Sequence, residues 1–78
     1  MYEARIVTDP NILVGKPIVR GTRVPVELVL KRLAQDLDVR GVLKAYPRLT
    51  EDDIRACIEY AQVVIEGEEI FPAAPSSR

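Results

Sequence analysis

The feature that most limits how this chain can fold is its lack of internal cross-links. Cys57 is the only cysteine and histidine is absent, so neither a disulfide within the chain nor a Cys/His zinc site can form. The 78 residues are enough for one domain with a small core. Small domains without such cross-links often gain stability by association. We therefore expect one domain over residues 1–67 that forms a homodimer or a higher homo-oligomer.

Cys57 lies within a helical pattern, and we expect it to be buried as a small apolar residue; a reactive thiol is the alternative. One unpaired cysteine is typical of a reducing compartment. The N-terminal sequence MYEARIV has no signal-peptide pattern, and no apolar run approaches the ~20 residues of a membrane span. These features predict a cytoplasmic protein without a membrane partner.

The N-terminal third contains the strand signals. Residues 4–7 predict a short strand, and residues 8–11 predict a turn because Asp before Pro disfavours a helix. Further on, Arg20 and Arg23 flank Gly-Thr, which predicts a two-residue hairpin with a type II′ turn. In that register Arg20 faces Arg23, and the valines at 19 and 24 share the core side. Two like charges in facing positions disfavour a hairpin slightly.

Three later segments have the periodicity of amphipathic helices: about residues 25–35, about 38–46, and from 51 to 67. The third has the clearest start, because Thr50-Glu51-Asp52-Asp53 matches a capping box. Acidic residues there also suit the positive end of the helix dipole. The chain is therefore predicted to be mainly α, with short N-terminal strands and three helices.

Apolar stripes predict which helix faces are buried. The first stripe extends to Leu37, which also forms a hydrophobic staple with Val42 around the N-cap Asp38. In the third helix, Val63 lies off the stripe and indicates a second buried face against another subunit. The third stripe consists of Ile54, Cys57, Ile58, Ala61, Val64 and Ile65.

The residue types argue against an enzyme. Without histidine, and with its one cysteine predicted to be buried, the chain offers no nucleophile–base pair. Gly15-Lys16 is followed by proline and lacks the glycine spacing of a phosphate-binding loop. A carboxylate site at residues 51–53 is an alternative, but helix capping explains those acids better. We expect no catalytic residue, no metal and no cofactor.

Charge is divided unevenly along the chain. Residues 1–50 carry nine Lys or Arg against five Asp or Glu, whereas residues 51–78 carry two against seven. Such a division indicates two surfaces of opposite charge and two kinds of partner, although patchy charge on a small protein is the simpler explanation.

Several motifs together resemble a known family. They are G-K-P-x-x-x-G-T-R-x-P-V at residues 15–26, an amphipathic helix, Y-P-x-L-T-x-x-D-I at residues 46–54, and then Ala56 and Tyr60-Ala61. This combination resembles the family catalogued as domain of unknown function 433, over roughly residues 5–65.

The resemblance implies short N-terminal strands followed by a three-helix bundle of the homeodomain-like, helix-turn-helix kind. Family members are similar to VapB-type antitoxins and are often encoded beside a small PIN-like ribonuclease. The chain departs from the family pattern at two positions. The family commonly has glycine where this chain has Val14, and another near the end of the first helix, where it has Asp36-Leu37.

The first functional hypothesis is an antitoxin that neutralises a PIN-like ribonuclease. Such nucleases hold a metal ion with acidic residues, and an inserted basic side chain can compete with that metal. Arg20 and Arg23, with Lys16 nearby, are the residues predicted to bind this partner or another anion. The alternative for Arg23 is an internal ion pair, with Asp9 or another acid of the chain, that locks the hairpin.

The second hypothesis is binding of operator DNA, either by the antitoxin or by a regulator without a toxin. Acidic residues 51–53 would repel phosphates at the start of a recognition helix, so contact is expected on basic residues elsewhere. The candidate DNA-contacting residues are Arg5, Lys31, Arg32, Arg40, Lys44 and Arg48, beside the basic residues of the hairpin.

The third hypothesis is a dimeric scaffold for protein interactions. Residues 68–78 are predicted to be a flexible tail, in which Ile70 and Phe71 form an apolar pair among acidic residues. That pair either docks on a partner or folds back on the core of the chain.

Overall fold

The computed structural model of the protein describes residues 2–67. The predicted tail, including Ile70 and Phe71, lies outside the described residues. Within them the fold is mainly α, as expected, with two single 3₁₀ turns, a two-stranded antiparallel sheet and three α-helices. The strands are β1 (Ile6–Thr8) and β2 (Pro17–Val19), and the helices are α1 (Val26–Asp36), α2 (Val39–Ala45) and α3 (Glu51–Gly67).

The sheet forms between β1 and β2, in the register that pairs Ile6 with Val19. The chain before β1 forms a 3₁₀ turn at Tyr2–Ala4, so the strand begins two residues later than predicted. The predicted turn after β1 is present. Asp9 organises it: its carbonyl accepts from the Ile12 N–H at 2.8 Å, and its side-chain Oδ1 accepts from the Asn11 N–H at 2.9 Å.

The predicted type II′ hairpin at Gly21-Thr22 is wrong. The turn covers residues 19–22, closed by the Thr22 N–H donating to the Val19 carbonyl at 3.0 Å. Gly21 has φ +81° at the third position, where a type II turn requires positive φ. Thr22 causes the difference, because its hydroxyl donates to the Val19 carbonyl at 2.7 Å and accepts from the Val24 N–H at 3.0 Å.

Arg20 and Arg23 also do not form the facing pair of a hairpin ladder that the sequence predicted. The Arg20 N–H instead donates to the Arg5 carbonyl at 2.7 Å, which extends the pairing of β1 with β2. Two contacts agree with the predicted register. The Val19 N–H donates to the Val24 carbonyl at 3.0 Å, and an isolated antiparallel bridge joins Ile18 and Pro25.

The core lies between β2, α1, α2 and the first half of α3. Val29 and Cys57 are completely buried, and Val42 nearly so. Each of the three predicted helices is present within two residues of its expected ends. The buried cluster consists of Ile6, Val19, Val26, Val29, Leu33, Val42, Leu49, Ile54, Ala56 and Cys57.

The predicted apolar stripes of α1 and α3 extend beyond the faces that are buried in the structure. Leu37 is 84% exposed because α1 ends at Asp36 and Leu37 adopts a left-handed conformation. It therefore cannot form the predicted staple with Val42, and Asp38 occupies the N-cap position of α2 without a side-chain capping bond. In α3, the exposed apolar residues are Ile58, Val63, Val64 and Ile65.

Candidate functional site

The structure separates the three residues predicted to bind a partner. Lys16 is exposed and its Nζ lies 2.9 Å from Oε2 of Glu27 in α1. An exposed ion pair of this kind contributes little to stability and is readily exchanged for another partner. Lys16 is therefore connected to α1 rather than grouped with the arginines of the turn.

Arg20 lies in the turn after β2, and its side chain is exposed. Its backbone is fixed by the hydrogen bond to Arg5 described above. Among residues 2–67, no carboxylate forms an ion pair with Arg20. A rigid backbone thus presents this guanidinium to solvent without an internal partner.

Arg23 follows the turn and lines a cleft of about 550 Å³. Asp9 lines the same cleft, yet no ion pair joins the two side chains, so the predicted Asp9–Arg23 lock is wrong. Arg48, from the connection between α2 and α3, also lines this cleft. The cleft thus brings together two arginines that the sequence had assigned to different tasks. The remaining lining residues are Val7, Ile12, Ile18, Gly21, Thr22 and Val24.

Arg5 has a different environment from the other candidate DNA contacts. Its Nη1 donates to Oδ1 of Asp53 at 3.0 Å, and its Nη2 lies 3.7 Å from Oδ2 of Asp52. Asp53 is only 8% exposed, so a buried carboxylate receives its charged partner from the N-terminal segment. This geometry gives Arg5 a structural role at the start of α3.

Asp53 also completes the predicted capping box, which is confirmed. Its Oδ2 accepts from the Thr50 N–H at 2.9 Å, and its own N–H donates to Oγ1 of Thr50 at 3.2 Å. The sequence motif predicted these two bonds. It could not predict the bond to Arg5, because the two residues are 48 positions apart.

The other basic candidates are exposed and lie on two helices and a turn. Lys31 and Arg32 are in α1, whereas Arg40 and Lys44 are in α2. None of these four forms an ion pair with another described residue. At the start of α3, Glu51 and Asp52 are exposed, so that end of the helix presents negative charge.

The second half of α3 has an incompletely covered apolar face. Beside it and α1 lies a groove of about 230 Å³ that is lined almost wholly by apolar atoms. Ile65 at its edge is 70% exposed. The lining residues are Pro17, Val26, Glu27, Leu30, Tyr60, Ala61, Val64 and Ile65.

Cys57 is buried in the core, as predicted. Burial, reinforced by the negative charge of Asp53, raises the pKa of its thiol from 9.0 to about 11. The thiol is therefore neutral near pH 7, which argues against a nucleophilic role. Residues 2–67 contain no cluster of three or more side chains suited to holding a metal ion. In the same range, no helix has the length and apolar character needed to cross a membrane.

The fold and the cleft define a small, mainly helical domain with an N-terminal two-stranded sheet and a basic surface beside it. The chain belongs to the family described as "Protein of unknown function (DUF433)", whose model matches residues 6–61. This confirms the resemblance inferred from the motifs.

One curated relative is similar over most of the chain. It is "Uncharacterized protein y4eO" of Sinorhizobium fredii, 42% identical over 57 residues, which are 73% of this chain. The matched part covers only 26% of that relative, so the chain spans about a quarter of its length. No solved structure matches the chain.

Proposed function

We propose that this protein is an antitoxin that binds and neutralises a PIN-like ribonuclease. The observation that carries the proposal is the state of Arg20 and Arg23. Both residues are exposed, and neither side chain forms an ion pair within residues 2–67. A small domain that contains nearby carboxylates, such as Asp9, leaves these two charges available for another molecule.

Arg20 and Arg23 can pair with acidic groups of a nuclease without first losing an ion pair of their own within residues 2–67. A metal-dependent nuclease presents several carboxylates, and arginine pairs with carboxylates through strong, directional hydrogen bonds. Because Arg20 and Arg23 form no ion pair within residues 2–67, docking breaks no ion pair among the described residues. The turn that carries Arg20 is already fixed by backbone bonds, which reduces the entropy lost on binding.

The direct test is inhibition of a nuclease encoded immediately beside this gene. Purified chain should abolish the metal-dependent RNA cleavage of that nuclease at a fixed molar ratio. The antitoxin proposal fails if the nuclease cleaves at an unchanged rate in the presence of excess folded chain.

Binding of operator DNA is a second proposal, supported by the exposed basic residues Lys31, Arg32, Arg40 and Lys44. A DNA-binding regulator without a toxin is the corresponding alternative function. A gel shift on the upstream region of the gene at several salt concentrations tests both. Binding through phosphates predicts an affinity for DNA that falls steeply as the salt concentration rises. The absence of any shift would contradict the DNA-binding proposal.

We also propose that the chain is not an enzyme, that it acts in the cytoplasm, and that it forms a homodimer or a higher homo-oligomer. The dimer proposal is supported by exposed apolar residues on α3: Ile58 and Ile65 on its apolar stripe, and Val63 off that stripe. A dimeric interaction scaffold is the remaining alternative function. Light scattering of the purified full chain over a range of concentrations measures the oligomeric state.

A further inference from the structure

The cleft between Arg23 and Arg48 has features of a binding site that the motifs did not indicate. Arg23 lies just before α1, and Arg48 lies between α2 and α3, so the fold brings together side chains from two separate connections. Neither arginine forms an ion pair within residues 2–67. Two cations that share a cleft without a described counterion favour an anion from outside.

The cleft has an excess of one positive charge, which a ligand with a single negative charge would neutralise. Asp9 is the one acidic residue among the described lining residues, against the two arginines. A ligand with one negative charge therefore compensates the cleft, whereas a doubly charged phosphate meets additional repulsion from Asp9. This balance favours a carboxylate over a doubly charged phosphate. A phosphodiester of nucleic acid carries one negative charge, so the other residues that line the cleft have to distinguish it from a carboxylate.

The apolar lining indicates what surrounds that carboxylate. Val7, Ile12, Ile18 and Val24 contribute apolar side chains to the same cleft. Nucleic-acid phosphates are attached to polar sugars and gain little from apolar walls, whereas a protein side chain brings methylene groups and apolar neighbours. A cleft of about 550 Å³ has room for such a group.

We propose that the cleft between Arg23 and Arg48 binds one aspartate or glutamate side chain from an apolar segment of a protein partner. The inference rests on the proposed function, in which that partner is the nuclease. It adds Arg48 to the residues predicted to bind the partner, and it assigns Arg20 and the cleft to two different contacts with that partner. Arg20 in the turn approaches the acidic cluster of the partner, and the cleft receives one further acid.

The cleft is tested with small peptides on the full-length protein. Acetyl-Leu-Glu-Leu-amide and its glutamine counterpart are titrated while the side-chain Nε–H signals of the arginines are followed by NMR. The glutamate peptide should shift the signals of Arg23 and Arg48 and leave that of Arg40 unchanged, and the glutamine peptide should bind about tenfold more weakly.

Variants then identify the arginine that is responsible. Arg48→Ala should weaken binding of the glutamate peptide about tenfold, whereas Arg40→Ala, which removes an equal charge from α2, should not. Arg48→Gln is the second variant, in case the alanine variant has a lower melting temperature. Equal binding of both peptides, or unchanged binding by both Arg48 variants, overturns the inference.

Two further probes distinguish other occupants. Inorganic phosphate that binds the two arginines more tightly than the glutamate peptide overturns the carboxylate assignment. A peptide with the sequence of residues 66–74, EGEEIFPAA, tests whether the tail of a second copy fills the cleft. Tighter binding of that peptide than of acetyl-Leu-Glu-Leu-amide overturns the assignment to a different protein.

Inhibition and binding assays with the nuclease distinguish a failure of this inference from a failure of the proposed function. If the nuclease is inhibited equally by the original chain and by Arg48→Ala, the cleft inference fails and the antitoxin proposal stands. If the glutamate peptide binds as expected but the nuclease does not bind, the antitoxin proposal fails and the cleft remains a carboxylate site.

Discussion

Three residues other than glycine have a positive φ among residues 2–67: Leu13 at 51°, Val14 and Leu37. Val14 has φ 56° and ψ 39° and is 93% exposed, so no burial of its side chain offsets the strain. Leu37 has φ 54° at the end of α1. A left-handed conformation costs an L-residue roughly 1–2 kcal/mol, and more for a β-branched one.

Val14→Gly should therefore stabilise the protein. We expect the free energy of unfolding to rise by about 0.5–1 kcal/mol, because relief of strain exceeds the extra entropy that glycine gives the unfolded chain. Urea denaturation measures the change. Val14→Ala is the matched control and should give a smaller gain, since it removes the branch but retains a Cβ. A glycine variant no more stable than the original contradicts the assigned backbone.

Cys57 should make stability depend on pH in the alkaline range. Because the pKa of the buried thiol is about 11 and its ordinary value is 9.0, the folded state holds this proton more tightly than the unfolded state. This contribution is complete below about pH 9 and is lost as pH rises towards 11.

The measurement compares the chain with Cys57→Ala by urea denaturation between about pH 8 and 11. The difference in their free energies of unfolding should shift against the original chain above about pH 9. The two proteins differ only at this residue, so the comparison isolates the effect of the thiol. A difference that stays constant over the whole range refutes the burial of the thiol.

Among the elements, α3 shows both what the sequence could predict and what it could not. The capping box fixed the start of the helix, because Thr50 and Asp53 are close in sequence and interact locally. The contact from Arg5 depends on the packing of β1 against α3 and has no local signal. Similarly, the turn differs from the one predicted from Gly21 because the Thr22 hydroxyl binds backbone groups of Val19 and Val24. These bonds take the place of a hairpin ladder bond between the two valines.

Arg5→Ala should destabilise α3 from its N-terminus. Removing the guanidinium leaves the buried carboxylate of Asp53 without its charged donor, and we expect a loss of about 1 kcal/mol. Thermal or urea unfolding measures the loss. Arg55→Ala is the control, since Arg55 is exposed on α3 and forms no ion pair within residues 2–67. Equal effects of the two substitutions would remove the structural role of Arg5.

Leu37→Gly should stabilise α1 through its C-terminal end. Leu37 donates its N–H to the Leu33 carbonyl at 2.6 Å in the left-handed position that usually holds glycine. Since Leu37 is exposed, glycine relieves strain with little loss of packing, and we expect a gain of up to about 1 kcal/mol. Leu28→Gly, in the interior of α1, should instead destabilise. A loss of stability in Leu37→Gly contradicts the left-handed assignment.

At the scale of the whole molecule, the periodicity and the motifs were enough to predict the mainly α fold and the family. They did not predict which basic residues would lie together. Charge alone makes Arg48 one of the candidate DNA contacts, whereas the fold places it in the cleft that Arg23 also lines. Conversely, Lys16 was grouped with Arg20 by proximity in sequence, yet it pairs with Glu27. Such groupings depend on tertiary packing, which local patterns do not encode.

The central claim is that the arginines of this surface are kept exposed to bind acidic groups of another protein. The most direct measurement is the affinity of a nuclease encoded beside the gene, the partner that the proposal requires, for the chain and for the double variant Arg20→Ala, Arg23→Ala. Two lost charge-assisted contacts should weaken binding at least a hundredfold by the usual energies of such bonds. Lys31→Ala with Lys44→Ala removes the same charge from α1 and α2 and should change affinity only slightly. An undiminished affinity in the arginine variant, with its fold intact, would contradict the claim.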